Sequence, residues 1–316
     1  MVEPKRLDRR RVASILGIAI GVLGTAFVVA QLVGSWSEVR STASDADLGL
    51  LVLALPVALA ALSLLGVVWG RCLKALGHTV GVLSAVHQYF VGQLGKYVPG
   101  GIWPVIGRAE MARRSGASTQ TSYWATVLSM GLTYLAGLVV ALVAVTVEAP
   151  ADTRWLALLI LIPIGLASLH PRFVSSVLKL MGRLAKRDFR LPIPSSRAIG
   201  ALIGAYLPAW VLISLATWFV SLAFTGDAPS FVNITLATTF SWVAGFLVLP
   251  VPSGIGVREV AFIALATSLP SVGVAAAVAL VSRFAFVLAD LIGAGASSSF
   301  VAWSTRSTRS TLLKGG

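Results

Sequence analysis

The residues that could do chemistry in this sequence are charged side chains within otherwise apolar segments. Arg108 and Glu110 follow one glycine- and proline-rich stretch, and Arg258 and Glu259 follow another. Such charges are costly unless they are paired or face a polar cavity, and an arginine can hold a phosphate through charge-assisted hydrogen bonds. We therefore predict a site that binds or gates an anionic group, in which Arg258 could pair with an acid of the first stretch such as Glu110.

Two further charges, Arg283 and Asp290, lie within the last long apolar segment. Their separation of seven residues places them on one face of a helix, about 10 Å apart along its axis. Because that distance is too long for a direct ion pair, each of them needs another partner. Asp290 could relay protons and Arg283 could contact a substrate phosphate; the alternative is structural pairing between helices.

Lys96 and Tyr97 stand just before the first proline-glycine-glycine break. Contact with a phosphate and anchoring at the membrane interface are both compatible with this position, and Trp103 could line a lipid path. The predicted substrate-binding residues are Lys96, Tyr97, Pro99, Gly100, Gly101, Trp103, Arg108, Glu110, Pro252, Gly254, Gly256, Arg258, Glu259, Arg283 and Asp290.

Neither a catalytic residue nor a metal site or cofactor is predicted. His78, His87 and His170 are scattered without the spacing of metal ligands. Cys72 is the only cysteine of the chain, so no internal disulfide can form.

The elements that position these residues are predicted to be membrane helices. The chain of 316 residues is 57% hydrophobic and 12% charged, and several uncharged runs are long enough to cross a bilayer core. The clearest spans are residues 12–34, 49–70, 123–147, 198–224 and 272–303, with shorter candidates at 155–169 and 234–251. We predict an all-α polytopic membrane protein with about seven or eight transmembrane helices and two Gly/Pro-broken re-entrant segments.

The distribution of charge predicts the orientation of the chain. Net charge is +13, but only two of the 25 Lys and Arg residues lie in the loops that we assign to the outside. This bias indicates a cytoplasmic amino terminus in a multi-pass protein of the inner (plasma) membrane. It argues for contact with anionic lipid heads, and against nucleic acid as a partner.

An internal echo suggests that the chain contains two related halves. The sequence YVPGGI at 97–102 recurs as PVPSGI at 250–255, and a hydrophobic hairpin precedes each copy. Corresponding broken segments in two halves are the best pointer in a sequence to a transporter binding site. Whether the repeat is parallel or inverted stays open.

The predicted domains follow from this repeat. A first membrane half covers residues 1–168, with a broken segment near 82–116, and a second covers 198–316, with a broken segment near 250–270. Residues 169–197 form a basic linker whose apolar residues recur at helical spacing. We predict that this linker lies on the cytoplasmic membrane surface and is held there by anionic lipids.

Both broken stretches resemble the paired signatures of the lysylphosphatidylglycerol synthase membrane-domain family, whose members are also described as flippase-like integral membrane proteins. QLGKYVPGGIWPVIGRAEMARRSG is similar to the G-x-x-x-P-G-G…R element with its basic end. LVLPVPSGIGVREVAFIAL is similar to the P-x-x-G-x-G-x-R-E element. The length and the hydropathy of nearly the whole chain fit the same family.

This resemblance implies lipid handling. In the bifunctional synthases, such a domain moves aminoacylated phosphatidylglycerol between leaflets, and a separate soluble domain makes that lipid. The present chain is expected to be a stand-alone member without the soluble domain. Some stand-alone relatives are linked to export of polyprenyl-linked sugars, so the implied partner is an anionic phospholipid or a lipid-linked sugar.

Two other functions remain open from the sequence. Asp45 and Asp47 form an Asp-x-Asp in the first outside loop, where a glycosyltransferase that uses a polyprenyl-phosphate sugar could keep a catalytic carboxylate. The simpler interpretation is that Ser44 or one of these acids caps the helix that begins near Leu48. The third possibility is a non-transporting scaffold for cell-envelope enzymes.

Overall fold

A computed structural model describes residues 46–97, 103–148, 194–247 and 254–314, with side chains described up to residue 303. These residues form helices joined by short turns, and no strand occurs among them, as the all-α prediction requires. The helices are α1 (Leu48–Ala75), α2 (Val82–Gln93), α3 (Trp103–Arg114), α4 (Thr119–Glu148), α5 (Ser196–Thr225), α6 (Phe231–Leu247), α7 (Val257–Leu265) and α8 (Val272–Lys314). A 3₁₀ turn, Leu94–Tyr97, continues α2.

Four of these helices are long and apolar enough to cross a membrane: α1, α4, α5 and the Val272–Trp303 part of α8. They correspond to four of the spans predicted from hydropathy. The predicted spans at 12–34 and 155–169, and the basic linker up to residue 193, lie outside the described residues. The total number of crossings therefore stays a prediction.

Two helices begin at a side-chain cap, and the first of these caps, at Asp47, confirms a prediction from the sequence. The Asp47 carboxylate accepts hydrogen bonds from the backbone N–H of Gly49 at 2.7 Å and of Leu50 at 3.2 Å. Ser195 Oγ accepts from the N–H of Ala198 at 3.2 Å. Both side chains satisfy amides that the first helical turn leaves without intrahelical partners. Asp47 thus has a structural role that accounts for its position before α1.

The centre of the fold is the packing of α1 against α5, the most extensive helix contact among the described residues. Alanines at the interface allow the two backbones to approach closely, and Ala58, Ala61 and Ala209 are fully buried. Tyr206 on α5 also hydrogen-bonds Ser129 of α4, with 2.8 Å between the hydroxyl oxygens. This core forms a fixed support for the shorter helices.

Two antiparallel helix pairs carry the glycine- and proline-rich stretches. We call α2, the 3₁₀ turn and α3 the first hairpin, and α6 with α7 the second hairpin. Their connecting residues, 98–102 and 248–253, lie outside the described residues. Helix α8 contacts α2 of the first hairpin and α7 of the second, so it links them.

The predicted broken segment near 250–270 contains a regular helix, because residues 257–265 form α7. The helix begins directly after Gly256, whose φ of +82° is a conformation that favours glycine. The Glu259 carboxylate accepts a hydrogen bond from the Gly256 N–H at 2.7 Å and so stabilises the first turn. The first stretch is likewise helical again from Trp103 onward.

Candidate functional site

Asp290 of α8 connects this helix to the first hairpin. Its side chain is 0% exposed and forms an ion pair with Lys96 of the 3₁₀ turn. Tyr97 Oη donates a hydrogen bond to Asp290 Oδ2 at 2.6 Å. The other carboxylate oxygen, Oδ1, is buried and has no hydrogen-bond partner among the described residues. Two consecutive residues at the end of the 3₁₀ turn are thereby held to one buried acid.

Arg283, two helical turns earlier on α8, connects the same helix to the second hairpin. It forms an ion pair with Glu259, which is buried in the first turn of α7. Because Glu259 also caps α7, this pair fixes both the position and the start of that helix. Arg283 and Asp290 thus each have a separate partner, as their spacing required.

The expected pairing of Arg258 with Glu110 is wrong. Glu110 lies at the surface and accepts hydrogen bonds from Arg113 Nε at 2.9 Å and from Arg114 Nε at 3.3 Å. These bonds lower the pKa of the Glu110 carboxyl. One helical turn carries Glu110 together with both arginines, so a local partner satisfies the acid instead of a distant one.

Arg108 is buried in the first hairpin, with 3% of its surface exposed. Its guanidinium carbon lies 5.7 Å from the centroid of the Trp69 ring and 5.3 Å from that of Tyr89. These are cation–π distances. Its Nε is buried without a hydrogen-bond partner, and no carboxylate of the described residues lies within ion-pair distance.

Arg258 holds the matching position in the second hairpin, at the start of α7. Its guanidinium carbon lies 4.1 Å from the centroid of the Trp242 ring. The neighbouring acid, Glu259, pairs with Arg283 and not with Arg258. Each hairpin therefore contributes one arginine that rests on aromatic rings and lacks a carboxylate partner in the part of the chain that is described.

A glycine on the preceding helix makes room for each of these arginines, a feature that our sequence analysis missed. A Cβ atom on Gly92 would lie 2.4 Å from Arg108 Cγ, and one on Gly245 would lie 2.3 Å from Arg258 Cγ. Gly92 and Gly245 are separated by 153 residues, the same offset as Pro99 and Pro252. Extending the internal repeat five residues toward the amino terminus could have identified them.

A small polar cavity of about 20 Å³ lies beside Arg258, Glu259 and Arg283. This volume has room for one water molecule. Hydroxyl-bearing residues of three helices line it: Thr217, Thr238, Ser241 and Ser282. Thr238 Oγ1 is buried and has no protein partner among the described residues, so a water that bridges it to a charged neighbour fits the site.

A larger open groove of about 540 Å³ lies between α2 and α3. Val91, Ile106 and Met111 contribute to its lining, and Glu110 with Arg114 border it. Trp103, 43% exposed, stands on the same groove. The groove combines an apolar wall with charged residues on its border.

The remaining predicted site residues divide into two groups. Gly254 and Gly256, with φ angles of +66° and +82°, form the entry to α7. Pro99, Gly100, Gly101 and Pro252 lie outside the described residues. Within the part of the chain that is described, no three His, Cys, Asp or Glu side chains are grouped so that they could hold a metal ion.

Comparison with known proteins identifies the family of this chain. No curated protein matches the sequence. The family model described as the lysylphosphatidylglycerol synthase TM region matches residues 14–293, nearly the whole chain. Together with four apolar helices of membrane-spanning length, this match indicates a multi-pass membrane protein. The chain belongs to the lysylphosphatidylglycerol synthase transmembrane-region family.

Proposed function

We propose that the protein is a flippase that moves an anionic phospholipid or a polyprenyl-phosphate-linked (glyco)lipid between membrane leaflets. The observation that carries this proposal is the meeting of charged residues from both hairpins on α8, through Asp290 and Arg283. Ionisable groups in an apolar bundle mark substrate or ion paths. The family match supports a role in lipid handling.

Both hairpins are re-entrant elements of an internal repeat in this proposal. Support comes from the equal offset of their glycines and prolines and from the shared arginine-on-aromatic arrangement. Backbone broken at membrane depth must be buried in protein or face a water-filled cavity. A polar lipid head can then cross between the two broken elements.

The groove between α2 and α3 is suited to the apolar part of the lipid. Its lining is mainly hydrophobic, while Glu110 and Arg114 stand at its border. A lipid whose tail lies along this groove keeps its head near charged side chains. In this scheme the tail never leaves an apolar environment, which avoids the cost of exposing it to water.

The energy for transport comes from a gradient in this proposal, since the sequence has no phosphate-binding loop of the G-x-x-x-x-G-K-[ST] type. We propose that Asp290 takes part in proton relay, and its carboxylate oxygen Oδ1, which has no hydrogen-bond partner among the described residues, supports this role. With a cytoplasmic amino terminus, the basic linker at 169–197 would contact anionic lipids of the inner leaflet.

The direct test is lipid movement in proteoliposomes that contain the purified protein. Head-group-labelled phosphatidylglycerol, phosphatidic acid and a polyprenyl-phosphate sugar are each followed by quenching of the outer leaflet. We expect at least one anionic lipid to equilibrate faster than in protein-free vesicles and more slowly with Asp290→Asn. Unchanged leaflet distributions across the whole panel would contradict the proposal.

A further inference from the structure

The small cavity beside α7 brings together three charged side chains whose charges do not cancel. Arg258, Glu259 and Arg283 all line it. Glu259 forms an ion pair with Arg283, and no carboxylate of the described residues lies within ion-pair distance of Arg258. Because an arginine stays protonated, the described wall of the cavity carries one more positive charge than negative charges.

The packing of α6 and α7 fixes the position of the Arg258 charge. Its guanidinium carbon lies 4.1 Å from the centroid of the Trp242 ring, and Trp242 lines the same cavity. A Cβ atom on Gly245 would lie 2.3 Å from Arg258 Cγ, so the arginine stem lies directly on the helix backbone. The aromatic contact offsets part of the cost of burying this charge, but it leaves the N–H donors of the guanidinium to be satisfied.

Among the hydroxyl groups that line this cavity in the described structure, only that of Thr238 keeps an uncommitted proton. The hydroxyls of Thr217, Ser241 and Ser282 donate to backbone carbonyls of their own helices, at 3.1, 2.8 and 3.1 Å. Thr238 is 2% exposed, and its Oγ1 has no partner among the described residues. The donors that remain for a ligand are therefore the Thr238 hydroxyl and the guanidinium of Arg258.

The volume of the cavity limits which ligand can accept these hydrogen bonds. About 20 Å³ has room for one water molecule or for a single ion of similar size. A phosphate or a carboxylate has several heavy atoms and is too large. A water molecule accepts from both donors but is neutral, so the charge of Arg258 stays uncompensated. A chloride ion accepts from the same donors and also cancels that charge.

We infer that this cavity binds one monovalent anion of the size of chloride, held by Arg258 and by the hydroxyl of Thr238. Residues of α5, α6, α7 and α8 form the cavity wall, so the ion joins the second hairpin to the two long helices beside it. Arg108, the matching arginine of the first hairpin, lines neither this cavity nor the groove. The proposed site therefore belongs to the second hairpin alone, and anion binding there does not depend on the proposed lipid transport.

The test is thermal unfolding of the whole protein in detergent, with sodium gluconate replaced stepwise by sodium chloride at constant ionic strength. Gluconate is too large for the cavity. An ion that binds only the folded protein raises the unfolding midpoint and then saturates, whereas a general salt effect increases steadily with concentration. We expect a saturable rise with chloride and with bromide, and no saturable rise with inorganic phosphate.

Three variants locate the ion. Arg258→Gln should weaken the apparent chloride affinity by at least about tenfold, because a hydrogen bond to a charged group and the compensated charge are both lost. Thr238→Val should weaken it by a smaller factor, about fivefold. The matched control is Thr126→Val on α4, since the Thr126 hydroxyl is buried, donates within its own helix and does not line the cavity. The control should bind chloride like the wild-type protein.

The wild-type protein alone can overturn the inference, whichever variants fold. No saturable rise with chloride would mean that the cavity takes water only. An equal saturable rise with phosphate would overturn the assignment of ion size. A chloride affinity that Arg258→Gln and Thr238→Val leave unchanged would place the ion elsewhere. None of these results bears on lipid movement, so failure of the anion site and failure of the proposed flippase are told apart.

Discussion

The two hairpins share the positions of their glycines and prolines, but the ion pairs that they form with α8 have opposite polarity. In the first hairpin the cation Lys96 pairs with an acid of α8, Asp290. In the second hairpin the acid Glu259 pairs with a cation of α8, Arg283. The acid that follows the arginine also differs: Glu110 lies at the surface and Glu259 is buried. Similar sequence stretches therefore do not carry equivalent acids, and only the arginines Arg108 and Arg258 are matched in their surroundings.

The largest effect is expected from breaking the ion pair of the second hairpin. Glu259→Ala leaves Arg283 buried without its partner and removes the cap of α7, so we expect a loss of about 3–5 kcal/mol in the free energy of unfolding. The measurement is a denaturant titration in detergent. The matched control is Glu259→Leu combined with Arg283→Met, which removes both charges and should recover most of the loss. A double variant less stable than either single one would contradict this account.

A smaller effect is expected from the corresponding change in the first hairpin. Asp290→Asn removes the charge that Lys96 faces but keeps an acceptor for Tyr97. Lys96 can turn its ammonium group toward water because it lies in a short turn with 16% of its side chain exposed. We expect faster hydrogen exchange confined to residues 94–97. Exchange that rises equally in α7 would show that the hairpins are not held separately.

The glycines that contact the two arginines show a further difference between the hairpins. A Cβ on Gly92 would lie 2.6 Å from the backbone nitrogen of Arg108, whereas one on Gly245 meets mainly the flexible stem of Arg258. We expect Gly92→Ala to cost about 1–3 kcal/mol, the usual range for overpacking, and Gly245→Ala to cost less. Unfolding midpoints of the two variants test this order, with Gly200→Ala, where nothing lies within 4 Å, as control.

The smallest effect is expected at Glu110. Because hydrogen bonds from Arg113 and Arg114 lower its pKa, any stabilisation from this acid is present above its unfolded pKa and is lost as the pH falls through its folded pKa. For a group so exposed to solvent, that contribution is small. Glu110→Gln should leave the unfolding midpoint at neutral pH unchanged within error. A large loss would mean that Glu110 has a buried partner after all.

Local features of this fold follow from the sequence, and long-range pairs do not. The span at 49–70 and the cap at Asp47 depend on neighbouring residues, so hydropathy and capping rules predict them. The helix at 257–265 was missed because its glycines indicate a break, although the break ends at Gly256.

The ion pairs required knowledge of which helices touch. Spacing along α8 shows that Arg283 and Asp290 need separate partners, but not that Glu259 and Lys96 supply them. The aromatic supports of the arginines were missed for the same reason, since Trp69 lies on α1, far from Arg108 in sequence. A charged residue within an apolar segment can be identified as a candidate from the sequence. Its partner depends on how the helices pack, which the sequence does not reveal.

Lipid head-group density at the meeting point of the two hairpins would test the central claim most directly. A cryo-electron microscopy structure in nanodiscs that contain an anionic lipid is the suitable measurement. We expect the head group to lie between the two hairpins, beside the charged residues that pair with α8, with its tail toward the groove between α2 and α3. A well-resolved structure with lipid heads only at the bilayer surface would contradict this account.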